Sequence, residues 1–447
     1  MRSTVMTYLH HKPVVILFLV SLLAMFLSFN FNIFQAVNSD KFDNYQYNSE
    51  SLVIGRLVKS RKDGVFSSEG RMGRYMGFEG DHHLNQTKLF VGDLTGGDYE
   101  EYDSQVGIQG ILLSQLDVVL EKIGFKPIAR LAIYHGIVSL LFALVLSTII
   151  VILYFDIGVE ASYFLLLTIV YSKWQVYIGN NLYWMMFAMF LPMVVVMIAY
   201  KMEEMGFNVK TLWVSLLVMF FVFLKGAMGY EFISTVLVSM LVPLVYFSVK
   251  NSWTMRKLLS RCVVIGLFGL LGFAVAFLLH IYQLTLATDS AEQALSVIQG
   301  RITANTYYEH ELQANLPSFE LEKVYIFFEV IKEYFLRGGG SYRLKIPYLV
   351  WVLVFLYITI KVYRDKYELS ELKKSNPTVN ALIIATWFSI LAPLSWFILA
   401  MNHSHIHTNI NIVLWHLPFM IFGFALLGYI LRSRIQRLRV RIATILE

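Results

Sequence analysis

Glu50 sits in an amphipathic stretch, Asn48-Ser49-Glu50-Ser51-Leu52-Val53-Ile54-Gly55-Arg56, that closes at Lys62-Asp63-Gly64 and follows a long apolar run. A carboxylate there can serve as a general base, and Asp40, Asp43 and Asp63 are the neighbouring carboxylates able to replace it. The plain alternative for Glu50 is a charge favoured by a helix N-terminus. Arg71 and Arg74, in Ser68-Glu69-Gly70-Arg71-Met72-Gly73-Arg74-Tyr75, can clamp a phosphate or simply pair with Glu69 and Glu79.

Lys225-Gly226-Ala227-Met228-Gly229-Tyr230-Glu231 is the second constellation. The apolar run before it, Thr211–Leu224, covers about 21 Å, short of a ~30 Å hydrocarbon core. Lys225 and Glu231 should therefore lie below the membrane surface, where ionisable groups face a protein cavity. Lys225 is read as phosphate-binding, against a Lys–Glu pair that merely closes a helical hairpin. His403, His405 and His407 form the third. On a helix His403 and His407 share a face; in an extended loop all three do. Hydrogen bonding to a pyrophosphate or sugar is the functional reading and a polar loop the bland one. A divalent metal is conceivable, but no nearby Cys or acidic residue completes a zinc site. Lys173 heads a fourth stretch, Lys173-Trp174-Gln175-Val176-Tyr177-Ile178-Gly179-Asn180-Asn181-Leu182-Tyr183-Trp184, whose aromatics stack on sugars and whose amides bond them, or whose Trp and Tyr simply anchor helices at an interface. Lys173 is counted with the substrate-binding cations. Glu50, Arg71, Arg74, Lys225, Glu231, His403, His405 and His407 are expected to converge on one outer cavity.

The elements that must position these groups follow from composition. The chain has 447 residues, 57% hydrophobic and only 15% charged, with mean hydropathy +0.59, so its apolar surface requires a bilayer. The formal charge of +6 needs no nucleic-acid partner, because basic loops held against anionic lipid account for it. The single cysteine, Cys262, rules out an intrachain disulfide. Candidate spans are Pro13–Phe34, Leu131–Phe155, Ala161–Tyr171, Leu182–Tyr200, Thr211–Leu224, Phe232–Phe247, Val263–Tyr282, Ile346–Ile360, Ala381–Met401 and Ile410–Leu431, roughly ten helices. The basic loops then fall on one side with both termini: Lys201–Lys210, Lys250–Arg261, Lys361–Lys374 and the Arg432–Arg441 tail. The chemically loaded connections take the other side.

The expected fold is an all-α polytopic membrane domain over 1–447, with a first extracytoplasmic loop at 35–130 and a second at 284–345. The first loop is too long for a passive connector. It should carry two amphipathic helices, one with Val53, Ile54, Leu57 and Val58 inward and Arg56, Lys59 and Asp63 outward, stopped by Gly64. The other, near Ile111–Ile123, should lie at the membrane surface. Ser67–Asp103 between them reads as ordered loop around a polar cavity. No Walker motif, Gly-rich nucleotide cradle or CxxC knuckle is present, which weighs against nucleotide-driven chemistry.

An acidic residue after the first span, then an amphipathic helix and a glycine, resembles the opening of the first external loop in GT-C glycosyltransferases. Ser49-Glu50 stands where that family has an acidic pair, and Gln105-Val106-Gly107-Ile108-Gln109-Gly110 occupies its second loop segment before the second span. The resemblance implies a cell-membrane enzyme, of the bacterial inner-membrane kind, that moves a sugar from a polyprenyl-phosphate donor to an extracytoplasmic glycan or lipid. Its partners would be the lipid-linked sugar, the acceptor and membrane lipid; the sequence itself requires no cofactor, with a divalent metal left open. In this reading Glu50 is the base, while Lys225 and the histidine loop steady the leaving phosphate. A polysaccharide polymerase or ligase, and a glycolipid transporter or flippase without chemistry, are the competing readings.

Overall fold

The computed structural model describes residues 12–42, 47–306, 319–339, 343–364 and 377–446. Asp43 lies outside the described residues. Helices dominate, and the strands form only two short antiparallel ribbons, Gly73–Met76 with Asp98–Glu101 and Gly338–Gly339 with Ile346–Pro347.

Among the described residues seven helical stretches are long and apolar enough to cross a membrane: Lys12–Phe31, Pro127–Ile157, Thr211–Met228, Ile233–Lys250, Met255–Thr288, Pro377–Leu399 and Phe419–Gln436. The chain is thus an all-α, multi-pass membrane protein. Three further helices coincide with expected spans but lack one attribute each. Val159–Val170 has only 12 residues. Phe187–Glu204 ends in Lys201, Glu203 and Glu204. Tyr348–Arg364 stops at 17 residues. Two expected boundaries move. The run from Leu182 becomes helical only at Phe187, because the Asn181 carboxamide oxygen takes the Tyr183 and Trp184 N–H groups at 3.0 and 3.1 Å. The run from Ile410 breaks into short turns, and its long helix starts at Phe419.

The helices Thr211–Met228 and Met255–Thr288 pack along much of their length, and small residues set the approach. A Cβ on Gly272 would lie 2.2 Å from the Met219 carbonyl oxygen, and one on Gly226 would lie 2.8 Å from Ala276 Cβ. The far side of Met255–Thr288 exposes Val263, Leu267, Leu270 and Leu278, a face suited to lipid.

One end of the bundle is closed by paired charges. Asp156 accepts from Lys201 and Lys250, Glu204 from Lys201 at 2.8 Å, and Glu203 from Lys257 and Arg261 at 3.1 and 2.7 Å. At the other end stands the helix Tyr47–Asp63, with Val53, Ile54, Leu57 and Val58 buried as their spacing predicts. Arg56 departs from expectation: it is fully buried. The chain after Gly64 folds back over it, and its guanidinium donates to the carbonyls of Gly64, Val65, Ser67 and Arg71. The segment read as loop also holds a helix, His82–Val91, besides the first ribbon.

The helix Ile108–Ile123 exposes Leu112, Val119 and Ile123 but turns Leu113, Asp117 and Leu120 inward. Asp117 is the tie that fixes the outer segment to the bundle. It accepts from Arg61 at 2.7 and 3.1 Å, from the Tyr134 hydroxyl, and lies 3.3 Å from Arg130 Nε. Tyr47–Asp63 is thereby held against Pro127–Ile157. Replacing Gly272 with Leu should separate the two glycine-lined helices and lower unfolding free energy by about 1–3 kcal/mol. Thermal melting in detergent checks this; an unchanged midpoint would show that the crossing has slack.

Candidate functional site

Glu50 lies in the first turn of Tyr47–Asp63 and is 2% exposed. Each carboxylate oxygen has its own partners. Oε1 faces His83 Nε2 at 3.2 Å and His135 Nε2 at 3.4 Å, and Oε2 accepts the Leu182 N–H at 3.1 Å. His83 comes from the helix His82–Val91, whose start is capped by Asp81 accepting from Leu84 N–H at 2.8 Å. Its ring stacks on Tyr47 at 3.9 Å. His135 comes from Pro127–Ile157, and its Nδ1 donates to the Asn180 carbonyl at 2.9 Å. Burial pushes the Glu50 carboxyl up, but the charge of His135, the bond and charge of His83 and the Leu182 N–H outweigh it and hold it below its ordinary value. An ionised carboxylate is therefore kept nearly dry, with two imidazoles on its more open side.

A second carboxylate sits across the same stretch of chain. Glu231 Oε1 accepts the Tyr183 hydroxyl at 2.9 Å, one residue from the Leu182 N–H that serves Glu50. Tyr183 is buried, and burial followed by the Glu231 charge raises its phenol well above the usual value, so it remains a donor. Gln109 Nε2 donates to the carbonyls of Tyr183 and Met228 at 3.2 and 2.9 Å, which fastens this stretch to the connection carrying Glu231. Backbone strain accumulates here. Met185 and Phe232 hold left-handed φ values of 40° and 67°, a conformation that costs a non-glycine residue about 1–3 kcal/mol and clusters at functional sites.

Glu231 opens onto a cavity of about 420 Å³ shared with His280, His403, His407, Arg301 and Tyr102, with Phe273 and Trp396 among its apolar walls. That size suits a small ligand or one unit of a larger one. His403 is buried; Asn411 donates to its Nδ1 at 3.1 Å, and its ring packs edge-on to Trp396. Burial, then the nearby His407, pushes His403 down to about 3, so it is a neutral imidazole. His280 is 1% exposed, and its ring nitrogens make no well-formed hydrogen bond, the Asp103 backbone being the polar group beside them. Such an arrangement suits a ligand rich in hydroxyl groups, since buried polar atoms are otherwise paired.

The sequence-predicted residues therefore do not gather in one cavity. Glu231, His403 and His407 line it, whereas Glu50, Arg71, Arg74, Lys225 and His405 are not among its walls. Lys225 is buried and its ammonium donates to the Gly229 carbonyl, closing the end of its own helix. Arg71 is taken up by Glu69 and Asp103, both at 2.8 Å. Arg74 stands opposite Glu100 in the first ribbon. Asp63 is exposed and pairs with Lys59 at 2.8 Å. Lys173 heads a short helix beside Trp174, away from the cavity walls. Among the described residues no cluster of three His, Cys, Asp or Glu side chains is arranged to hold a metal ion.

Sequence reasoning missed His83, His135 and the Leu182 N–H. His83 was visible in Asp81-His82-His83, and His135 as an imidazole early in a long apolar run, a costly placement that signals a partner.

No family model, curated protein or solved structure matches the chain. The site's chemistry thus rests on its own geometry.

A lowered carboxyl stabilises the folded state above its unfolded value near 4.5, and that contribution fades as pH falls through the folded value. Glu50→Gln should therefore melt below wild type at neutral pH, and the gap should close on acidification below about 4.5. Parallel detergent melts check this, and a pH-independent gap would contradict an ionised Glu50.

Proposed function

We propose that this protein is a polytopic glycosyltransferase that moves a sugar from a polyprenyl-phosphate-type donor to an extracytoplasmic glycan or lipid acceptor. In this reading the chain crosses the membrane ten times, the seven long apolar helices being joined by Val159–Val170, Phe187–Glu204 and Tyr348–Arg364. The end closed by Lys201, Lys250, Lys257 and Arg261 faces the cytoplasm under the positive-inside rule, and Glu50 faces outward. The resemblance of the Glu50 region to the first external loop of GT-C enzymes agrees with that sidedness.

The observation that carries the proposal is the dry, ionised Glu50 between two imidazoles. Sugar transfer from phosphate requires the acceptor oxygen to lose its proton as it attacks the anomeric carbon. The acceptor hydroxyl displaces one imidazole as the hydrogen-bond partner of Oε1, and Glu50 takes the proton while the sugar–phosphate bond breaks. Leu182 N–H keeps the second oxygen fixed, so the reacting lone pair points in one direction. The neighbouring cavity supplies aromatic walls and neutral imidazoles, the combination that stacks on a sugar face and bonds its hydroxyls. Glu231, held by Tyr183, accepts hydrogen bonds there. Lys225 has no part in phosphate binding in this scheme, because its ammonium is committed to Gly229.

Glu50→Gln preserves shape and removes the base. Transfer of a radiolabelled sugar in membranes should fall by about 10²-fold or more, the usual share of a general base, while the protein still folds. Transfer at the parental rate would end the assignment of Glu50.

A further inference from the structure

At the same end of the bundle two cations flank one indole, and two more stand on elements packed beside it. Lys173 Nζ lies 4.4 Å from the centre of the Trp174 ring, and Arg337 Cζ lies 5.9 Å from it. Trp174 Nε1–H donates to the Gly338 carbonyl at 3.1 Å, which ties the helix Lys173–Ile178 to the second ribbon. In that ribbon Gly338 pairs with Pro347, and a Cβ on Gly338 would lie 3.0 Å from Lys345 Cβ. Lys345 therefore stands beside the strand that follows Arg337. Lys41 joins from the short helix Ser39–Phe42, which packs on Lys173–Ile178.

Acidic compensation is thin. Glu333 lies 3.4 Å from Arg337 Nη1, and that nitrogen is buried without a hydrogen bond. Asp40 is on the helix of Lys41. Among the described residues Lys41, Lys173 and Lys345 make no ion pair. Beneath the cluster His416 Nε2 lies 3.2 Å from the Ser172 hydroxyl and 2.8 Å from the Tyr348 hydroxyl, and burial pushes it down to about 3, so it is neutral. The like charges are felt: burial, then Lys345, Arg337 and Lys41, push Lys173 down to about 8. Cations gathered beside a half-buried lysine with so little acidic compensation set up a positive field that favours an anion.

We propose that Lys41, Lys173, Arg337 and Lys345 form a binding site for a phosphate group, either that of a lipid-linked donor or a free phosphate. Lys173 is a point donor, Arg337 a planar one, and the outer two lysines screen the remaining charge of a dianion. The chain from Lys41 leads to Glu50 and the chain from Lys173 leads to Leu182, so the phosphate site and the carboxylate share two short connections. The glycosyl-transfer reading supplies only the lipid source; the phosphate site rests on the cations.

Binding is read without turnover, in the full-length Glu50→Gln protein in detergent. The probes are farnesyl phosphate, farnesol and inorganic phosphate, with phosphatidylglycerol as competitor. Farnesyl phosphate should bind, and Lys173→Gln with Lys345→Gln should weaken it roughly tenfold or more. Farnesol should show no dependence on these lysines. If farnesyl phosphate outcompetes inorganic phosphate the source is a lipid; if the two compete equally the source is soluble; either result supports the site. Lys173→Arg should retain binding while losing the decline in affinity that wild-type Lys173 produces between about pH 7 and about pH 9.5 as it deprotonates. Unchanged affinity in a double variant that elutes and melts like its parent would overturn the site. So would equal displacement by phosphatidylglycerol, which would reduce the cluster to general contact with anionic lipid. A failed phosphate site leaves the Glu50 assay unaffected, and an active Glu50→Gln enzyme leaves the binding result standing.

Discussion

A buried carboxylate and a partly buried one, at one end of a membrane bundle, have to be satisfied by the same short stretch of chain, and much of the architecture serves that constraint. Leu182 offers its N–H to Glu50, and the next residue offers its hydroxyl to Glu231. An unpaired buried carboxylate costs several kcal/mol. The stretch from Asn180 to Met186 therefore cannot be an ordinary helix, whose N–H groups would be spent internally. Asn181 diverts two of those groups, Gln109 pins the Tyr183 carbonyl, and Asn180 gives its own carbonyl to His135. Left-handed backbone at Met185 and Phe232 follows from the same geometry.

The scaffold around this stretch turns sequence-distant groups into neighbours. Asp117 collects Arg61, Arg130 and Tyr134, which draws the outer helix Tyr47–Asp63 onto the span Pro127–Ile157 and brings Glu50 to His135. Close crossing at Gly272 and Gly226 likewise sets where Met255–Thr288 delivers His280 to the cavity. Packing inside the bundle and chemistry at its end are therefore coupled.

The coarse fold was legible because bilayer thickness and hydrocarbon burial act on local sequence: runs of apolar residues mark spans wherever they occur. Boundaries failed where side chains capture backbone groups, as Asn181 does. The amphipathic pattern identified Tyr47–Asp63 but misplaced Arg56, because a helical stripe does not reveal that later carbonyls fold back over it. Glu50 was readable as a carboxylate opening a helix. Its imidazoles were visible as residues but not as partners, since His83 meets it through the packing of His82–Val91 on Tyr47–Asp63 and His135 through the tie at Asp117. Lys225 misled for a related reason: it is buried, but its partner is the carbonyl of Gly229, four residues on. The cations around Trp174 come from widely separated positions, and among them only Lys173 drew notice in the sequence.

The central claim is that the carboxylate served by Leu182, and not the one served by Tyr183, faces the reacting carbon. Electron cryomicroscopy of the Glu50→Gln protein with a polyprenyl-phosphate sugar tests it directly. The account predicts the anomeric carbon beside the side chain at position 50, with His83 and His135 around the entering hydroxyl. A donor whose anomeric carbon lies against Glu231, with position 50 still sealed behind its imidazoles, would contradict it.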